Sequence, residues 1–428
     1  MLCWCLFYAF TSIAQITASD RQQAIDSIIT QLNNRYVFPE TAKKIENMLV
    51  EAVKTRKYQN LTDGNAFANA LTEDLRSTAR DKHLAVFYSP EPITPNTSKD
   101  LLNNPEQEST AEGERLKLMN YGIRKVDVLR GNIGYLDFNF FCSPKFAGDT
   151  YAAMMNYVSH TNALIIDLRN CGGSMSADAI PFICSYFFEK PVHLVDLYWR
   201  QGDVTNQYWS YAHVSGKKYT DKPIYIVTGG ATFSGAEELA YDLKNLKRAT
   251  IIGETTGGGA NGGGTINITD HFAINIPLGR AISPITKTNW EGVGVTPDVS
   301  VKSKMALHHA QILALQQIVK NAIDVATKEN ANAVLTALKA DAPVFKKVSF
   351  TLKGFKDATT VAVAGNFNNW SAVSDLLIFE KGQWMITTDT DSNELSYKFV
   401  VDGKWILDPI NKKTITDGQN INSFKRIK

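Results

Sequence analysis

A mixed α/β fold, helical at its N-terminal end and followed by a separate all-β domain, is predicted by three features of the sequence. Apolar residues recur at helical spacing up to about Ala79, short apolar runs alternate with helical stretches between residues 114 and 303, and only short β-runs follow Val348. At 428 residues the chain is long enough for two or three cores. Its 44% hydrophobic and 21% charged residues and formal net charge of +2 are those of a soluble multidomain protein. Basic residues are dispersed, with no Lys/Arg cluster interleaved with aromatics, which argues against nucleic acid as a partner.

The run Leu2 to Ile13 is shorter than the roughly 18 to 20 residues that a spanning helix needs, and Ser12-Ile13-Ala14 has a small-x-small cleavage pattern. A signal peptide over residues 1–18 is expected, hence export to a periplasmic or extracellular space with no stable membrane span. The usual basic n-region is missing, so a buried N-terminal segment or a misassigned start is the competing reading. Of five cysteines, Cys142, Cys171 and Cys184 remain beyond that leader, too few and too odd in number for a disulfide framework. None has metal-ligand spacing and there is no HExxH pattern, so no metal and no cofactor is predicted. Cys171, inside a Gly turn, has a minor reading as a reactive thiol.

Between residues 20 and 88 three amphipathic helices are expected. Their apolar faces are Ala24, Ile25, Ile28, Ile29 and Leu32, then Ile45, Met48, Leu49, Ala52 and Val53, then Phe67, Leu71 and Leu75. After a polar, Pro-containing stretch the strands Ile133–Phe141, Ala163–Leu168, Pro223–Val227 and Ala249–Ile252 alternate with helices, giving an α/β domain over 114–303. A helical linker is expected over 304–345, with helix from Met305 to Ala342 ended by Pro343. Residues 346–428 read as a β-sandwich, with Asp402-Gly403 as a hairpin turn.

The segment Ile224 to Leu243 runs from a buried strand through Gly229-Gly230 into an amphipathic helix, with Ser234 at the junction. A hydroxyl there sees the positive end of the helix dipole, and free first-turn amides can stabilise an oxyanion. Ser234 and Glu237 equally fit an S-x-x-E capping box, which is a purely structural role. Gly172-Gly173 follows the strand Ala163–Leu168, where glycines allow close backbone approach to a substrate or simply make a turn. His83 precedes an alternating strand and is a candidate base, although the chain has seven histidines. His308 and His309 fall on a helix with no carboxylate in register. Gly257 to Gly262 satisfies G-x-G-x-x-G, but the next residues alternate like a strand, so no helix dipole meets a pyrophosphate and a nucleotide site is rejected.

The segments DKHLAVFYSP, ALIIDLRNCGG, TFSGAEELAYDLKNLKRATIIGETTGGGAN and GRAISPITKTNWEGVGVTPDV, in this order, resemble the tail-specific (C-terminal-processing) serine peptidases. The resemblance is to the branch that includes the interphotoreceptor retinoid-binding protein repeats and the tricorn core protease. It implies a helical N-terminal subdomain, a crotonase-like ββα core and acyl transfer on peptides. Processing proteases place a lysine where this chain has Gly259, and Lys244 and Lys247 come too early, so a Ser/Lys dyad is not expected. The tricorn-like arrangement implies Ser234 as nucleophile, His83 as base and Glu291 as the carboxylate that orients or stabilises the imidazolium. Gly235 with Gly172 or Gly173 would form the oxyanion hole. Lys82 stands where the tricorn protease has a ring-holding serine, which leaves the orientation of His83 open. Too few residues separate Tyr88 from Ile133 for the PDZ domain of the processing proteases. VAVAGNFNNW, ELSYKFVVDGKWILDP and INSF resemble glycogen-binding modules, implying an immunoglobulin-like sandwich that binds carbohydrate through Trp370, Lys398, Trp405 and Asn422, while Trp384 reads as core. The expected function is therefore an exported serine peptidase acting on a peptide or protein, with a possible glycan at the module. The alternative is a non-catalytic hydrophobic-ligand or polysaccharide-binding protein on the same fold.

Overall fold

The computed structural model describes residues 15–93, 105–368, 370, 372, 375–418 and 420–427; the apolar run expected to be a leader lies outside them. The chain divides into two compact units, Met1–Ala306 and Leu307–Lys428.

The first unit opens with α1 (Ala18–Arg35), α2 (Pro39–Lys54) and α3 (Gly64–Ala79), and the sequence explains each boundary. Thr17 and Asp20 form a capping box on α1, proline begins α2, and the Asp63 side chain accepts the Ala66 N–H at the start of α3. Their apolar faces bury Ile25, Ile28, Ile45, Leu49, Phe67 and Leu71 in one cluster with Val86, Phe272, Ile274 and Ile276. The last four come from β1 (Ala85–Tyr88) and β10 (Phe272–Pro277), which pair antiparallel in a three-stranded sheet with β9 (Gly263–Asn267).

Next come α4 (Pro105–Leu118), β2 (Ile123–Leu129), β3 (Ile133–Phe138), α5 (Pro144–Val158), β4 (Ala163–Asp167) and α6 (Ala179–Cys184). They are followed by β5 (His193–Trp199), β6 (Val204–Trp209), β7 (Ile224–Thr228), α7 (Gly235–Asn245) and β8 (Ala249–Gly253). After β9 and β10 the chain adds β11 (Gly279–Ile282) and β12 (Val299–Ser300). The central sheet has the order β12-β8-β7-β4-β3-β2, parallel from β3 to β12. β4 and β7 are buried along their whole length, as befits strands covered on both faces, and so they read as unbroken apolar runs. Helices α5 and α7 make crossovers between parallel neighbours, which leaves the loops at the carboxyl ends of β4 and β7 side by side. β11, β5 and β6 form a third, antiparallel sheet.

Helix α8 (Ser303–Asn321), which begins at the end of the first unit, and α9 (Val325–Ala340) in the second replace the single helix expected from Met305 to Ala342. The break has a local cause: Asp324 accepts the Thr327 N–H at 2.7 Å and starts a new helix. The remaining strands are β13 (Lys346–Lys353), β14 (Val361–Gly365), β15 (Ile378–Glu380), β16 (Gln383–Thr390), β17 (Glu394–Val401), β18 (Lys404–Ile406), β19 (Thr414–Asp417) and β20 (Asn420–Arg426). They form the sheets β13-β16-β15 and β14-β17-β20-β19, with β18 on β17. Phe350, Leu352, Val363, Trp384, Tyr397 and Phe399 make their shared core. Asp402 and Gly403 both have positive φ, 45° and 80°, as the turn between β17 and β18 requires.

Candidate functional site

Ser234 is the N-cap of α7, one residue beyond the Thr228–Phe233 turn, and its backbone lies at φ 53°, ψ −125°. A non-glycine residue held at positive φ costs about 1–3 kcal/mol and persists only where its surroundings fix it. Here they do. The Thr232 hydroxyl donates to the Leu168 carbonyl at 2.7 Å, and the Phe233 N–H donates to the Cys171 carbonyl at 3.1 Å. A Cβ on Gly173 would lie 2.8 Å from the Ser234 Cβ, and one on Gly235 2.4 Å from the Ser174 Oγ, so glycine is needed for the two loops to touch. Ser234 makes no side-chain cap bond, while Glu237 supplies the carboxylate half of the capping box by accepting the Ser234 N–H at 3.0 Å.

Glu237 does more than cap the helix. Buried in the interior, it also accepts the N–H of Gly258 and of Gly259, each at 2.7 Å, and the Thr256 hydroxyl. Sequence reading saw only its capping role, because the second set of partners lies on the loop after β8. The other side of that loop is held by the late motif: Trp290 Nε1 donates to the Gly259 carbonyl at 2.7 Å, and the Ala260 N–H donates to Glu291 Oε2 at 2.6 Å.

His83 enters from the other core. It immediately precedes the Leu84–β1 segment, and Asn275 of β10 donates to its carbonyl at 2.8 Å. The ring packs on Phe233, with centroids 4.6 Å apart, and both ring nitrogens are buried without a hydrogen-bond partner. His83 and Ser234 line one cleft of about 260 Å³. Asp81 Oδ1 lies 3.5 Å from His83 Nδ1, and Asp81, His83 and Glu291 have donor atoms within 4.8 Å of one another. Lys82 turns away and donates to the Gly257 carbonyl at 2.7 Å. In the sequence, Asp81 carries no signal of this role beyond its D-x-H spacing to His83. A cation at this trio would find little free valence. Asp81 already accepts from Tyr36 Oη, Asn261 Nδ2 and the His83 N–H, each at 3.0 Å, which leaves Glu291 Oε1 and the imidazole.

The two carboxyls are driven apart electrostatically. Burial raises the Asp81 pKa, but hydrogen bonds from His83 and Asn261 and the charge of His83 outweigh it, and the group is held below the usual carboxylate range. Burial, and then the nearby Asp81, push Glu291 up to about 7.

One predicted oxyanion donor has to be withdrawn. The Gly172 N–H donates to the Asn139 carbonyl at 2.8 Å, so it is not available to a substrate. Among the described residues the Gly173 and Gly235 N–H groups meet no acceptor. Cys171 is also no reactive thiol: it is fully buried, and burial raises its pKa to about 12.

In the second unit, Trp370 and Trp405 stand with ring centroids 6.4 Å apart, and Trp405 is 46% exposed. Lys398 is half-buried opposite Ala364 on β14. Asn422 is only 2% exposed, on β20, and is not presented to solvent as the resemblance implied. Trp384 is in the core, its Nε1 donating to the Phe355 carbonyl at 3.0 Å.

Residues 132–301 match the model of peptidase family S41, residues 10–129 the N-terminal domain of that family in eukaryotic IRBP, and residues 348–427 the glycogen recognition site of AMP-activated protein kinase. The carboxy-terminal-processing protease of Bartonella bacilliformis is 27% identical over 182 residues, 41% of this chain and 40% of that protein. The chloroplastic carboxyl-terminal-processing peptidase 2 of Arabidopsis thaliana is 27% identical over 148 residues, 33% of this chain and 26% of that one. The chain therefore spans less than half the length of these relatives. A solved lipoprotein from Streptococcus agalactiae is 16% identical, with a TM-score of 0.47 over 70% of this chain and 97% of that one. Two adjoining segments carry the N-terminal and core models of the same family, and the chain belongs to peptidase family S41, with a C-terminal module similar to the glycogen recognition site of AMP-activated protein kinase.

Proposed function

We propose that the chain is a serine peptidase in which Ser234 is the nucleophile and His83 the base. The observation that carries this is the meeting, in one cleft, of a serine held at positive φ on a helix N-terminus and an imidazole with no bonded partner beside two carboxylates. With Nδ1 facing Asp81, Nε2 is left for the Ser234 hydroxyl, a bond that forms as substrate closes the site. The Oγ adds to the scissile carbonyl carbon as its proton passes to Nε2, and the resulting oxyanion is met by the Gly235 and Gly173 N–H groups. The imidazolium then gives that proton to the leaving amine as the C–N bond breaks, and water repeats the sequence on the acyl-enzyme. Asp81 orients the ring and Glu291, when ionised, stabilises the imidazolium. Export of the mature protein is part of this reading, supported by the short apolar run Leu2 to Ile13 and the small-x-small pattern at Ser12-Ile13-Ala14.

A fluorophosphonate probe tests the chemistry. The wild type is expected to be labelled, and both Ser234→Ala and His83→Ala are expected to lose labelling. A folded but unlabelled wild type would overturn the reading in favour of a ligand-binding protein on the peptidase fold.

Glu291 gives a pH signature. Its pKa rises from 4.5 to about 7 on folding, so its contribution to stability is full below about 4.5 and is lost as pH rises through 7. Glu291→Gln should therefore gain in Tm over the wild type between pH 5 and pH 8, while its labelling rate falls about tenfold at pH 8 and less at pH 6. Equal Tm differences at both pH values would remove the shifted carboxyl from the account.

The paired tryptophans support a second role, binding of an α-glucan by the C-terminal module, since aromatic faces desolvate against sugar rings. Glycogen retention in affinity electrophoresis should survive Ser234→Ala and fall at least tenfold in Trp405→Ala. Wild-type protein that migrates unretarded in glycogen would end this proposal.

A further inference from the structure

Beside the nucleophile, α7 carries two acids that the chemistry above does not use. Glu238 and Asp242 are four residues apart and so share one helix face. Glu238 Oε1 and Asp242 Oδ2 are buried with no hydrogen-bond partner, and no ion pair to either is found among the described residues. Leaving carboxyls in this state is costly, because a buried acid loses its hydration without compensation. Burial raises both pKa values, Glu238 to about 8, and Asp242 is raised further by the presence of Glu238. Asp242 lies on the buried side, whereas Glu238 opens onto the cleft that Ser234 and His83 line.

The rest of that cleft indicates what would fill it. Leu197, Trp199, Ala281 and Trp290 supply apolar walls, and no lysine or arginine lines it. A long aliphatic stem ending in a cation suits such a slot, with its methylenes against the apolar walls and its charge favouring loss of the Glu238 proton, so that cation meets carboxylate once the slot is filled. A neutral or acidic side chain would leave the acids without a partner. We propose that Glu238, backed by Asp242, is the specificity determinant of this site, and that the cleft receives a lysine or arginine side chain of the substrate next to the scissile bond.

The inference rests on the reading of Ser234 as nucleophile, and one competition experiment separates the two. Wild-type protein is labelled with a fluorophosphonate in the presence of acetyl-Ala-Ala-lysinal, -argininal, -norleucinal or -glutamal. The basic aldehydes are expected to protect at concentrations at least tenfold lower than norleucinal, which has lysine's stem without its charge, and glutamal should protect least. In Glu238→Gln the ratio of lysinal to norleucinal protection should collapse towards one. That ratio is read within each protein, so a partly folded variant still reports, and the wild-type ratio stands alone if the variant does not fold. Intact labelling with norleucinal as effective as lysinal would overturn the specificity inference only. Absence of wild-type labelling would instead remove the nucleophile on which it rests.

Discussion

Lysine introduced at Gly259 is expected to silence the protein, lowering fluorophosphonate labelling at least a hundredfold, even though it restores the residue of the Ser/Lys arrangement at the matching position. The space is already taken. A Cβ at Gly259 would lie 2.3 Å from the Phe233 ring and 2.7 Å from His83 Cε1, far inside van der Waals contact. Relief would require Phe233 to turn away, but its ring is also met by Gly257 and is the surface on which His83 packs. The Gly259 N–H and carbonyl are tied to Glu237 and Trp290, so the loop has little freedom to retreat. A displacement of about 1 Å in a reacting group is enough for a hundredfold loss. Gly259→Ala should fail in the same direction by the same clash. Labelling in a Gly259→Lys, His83→Ala double variant would contradict this, since lysine would then be serving as the base.

A second large effect is expected at Asp81. Asp81→Asn should lower kcat by at least a hundredfold, towards the roughly ten-thousandfold seen when the orienting aspartate of a serine protease triad is made neutral. The carboxylate receives three donors, the Tyr36 hydroxyl, the Asn261 amide and the His83 N–H, and faces Nδ1 as well. An asparagine must turn its own NH2 towards one of them, and a buried donor left unmatched costs about 1–3 kcal/mol. The sign of the pH dependence follows from the lowered pKa. Asp81 stabilises the fold above its unfolded pKa, and this is lost as pH falls through the still lower folded value. The Tm deficit of Asp81→Asn is therefore expected at pH 7 and should shrink in strong acid. A deficit independent of pH would point to packing rather than charge.

Elements with a strong period were legible in the sequence. The buried faces of α1, α2 and α3 are the apolar repeats read from it, and β4 and β7 are continuous apolar runs because both their faces are buried. The break at Asp324 was overlooked, since the apolar pattern continues across it and only a cap marks the new helix. Much of the cleft's wiring was out of reach for a different reason. Gly172 loses its N–H to a backbone carbonyl at Asn139, which carries no residue-type signature, and Asp81 is defined by partners at positions 36 and 261. Glu238 and Asp242 resembled the polar face of an amphipathic helix, because sequence alone does not show which acids the neighbouring elements enclose.

His83 and Ser234 hang from different hydrophobic clusters, one formed by the N-terminal helices with β1 and β10, the other by the central sheet. On the proposed mechanism, catalytic power therefore monitors the seam between two bodies of packed side chains. Mild heating or low denaturant that lets one slip by an ångström would extinguish turnover while tryptophan emission and circular dichroism still read as native.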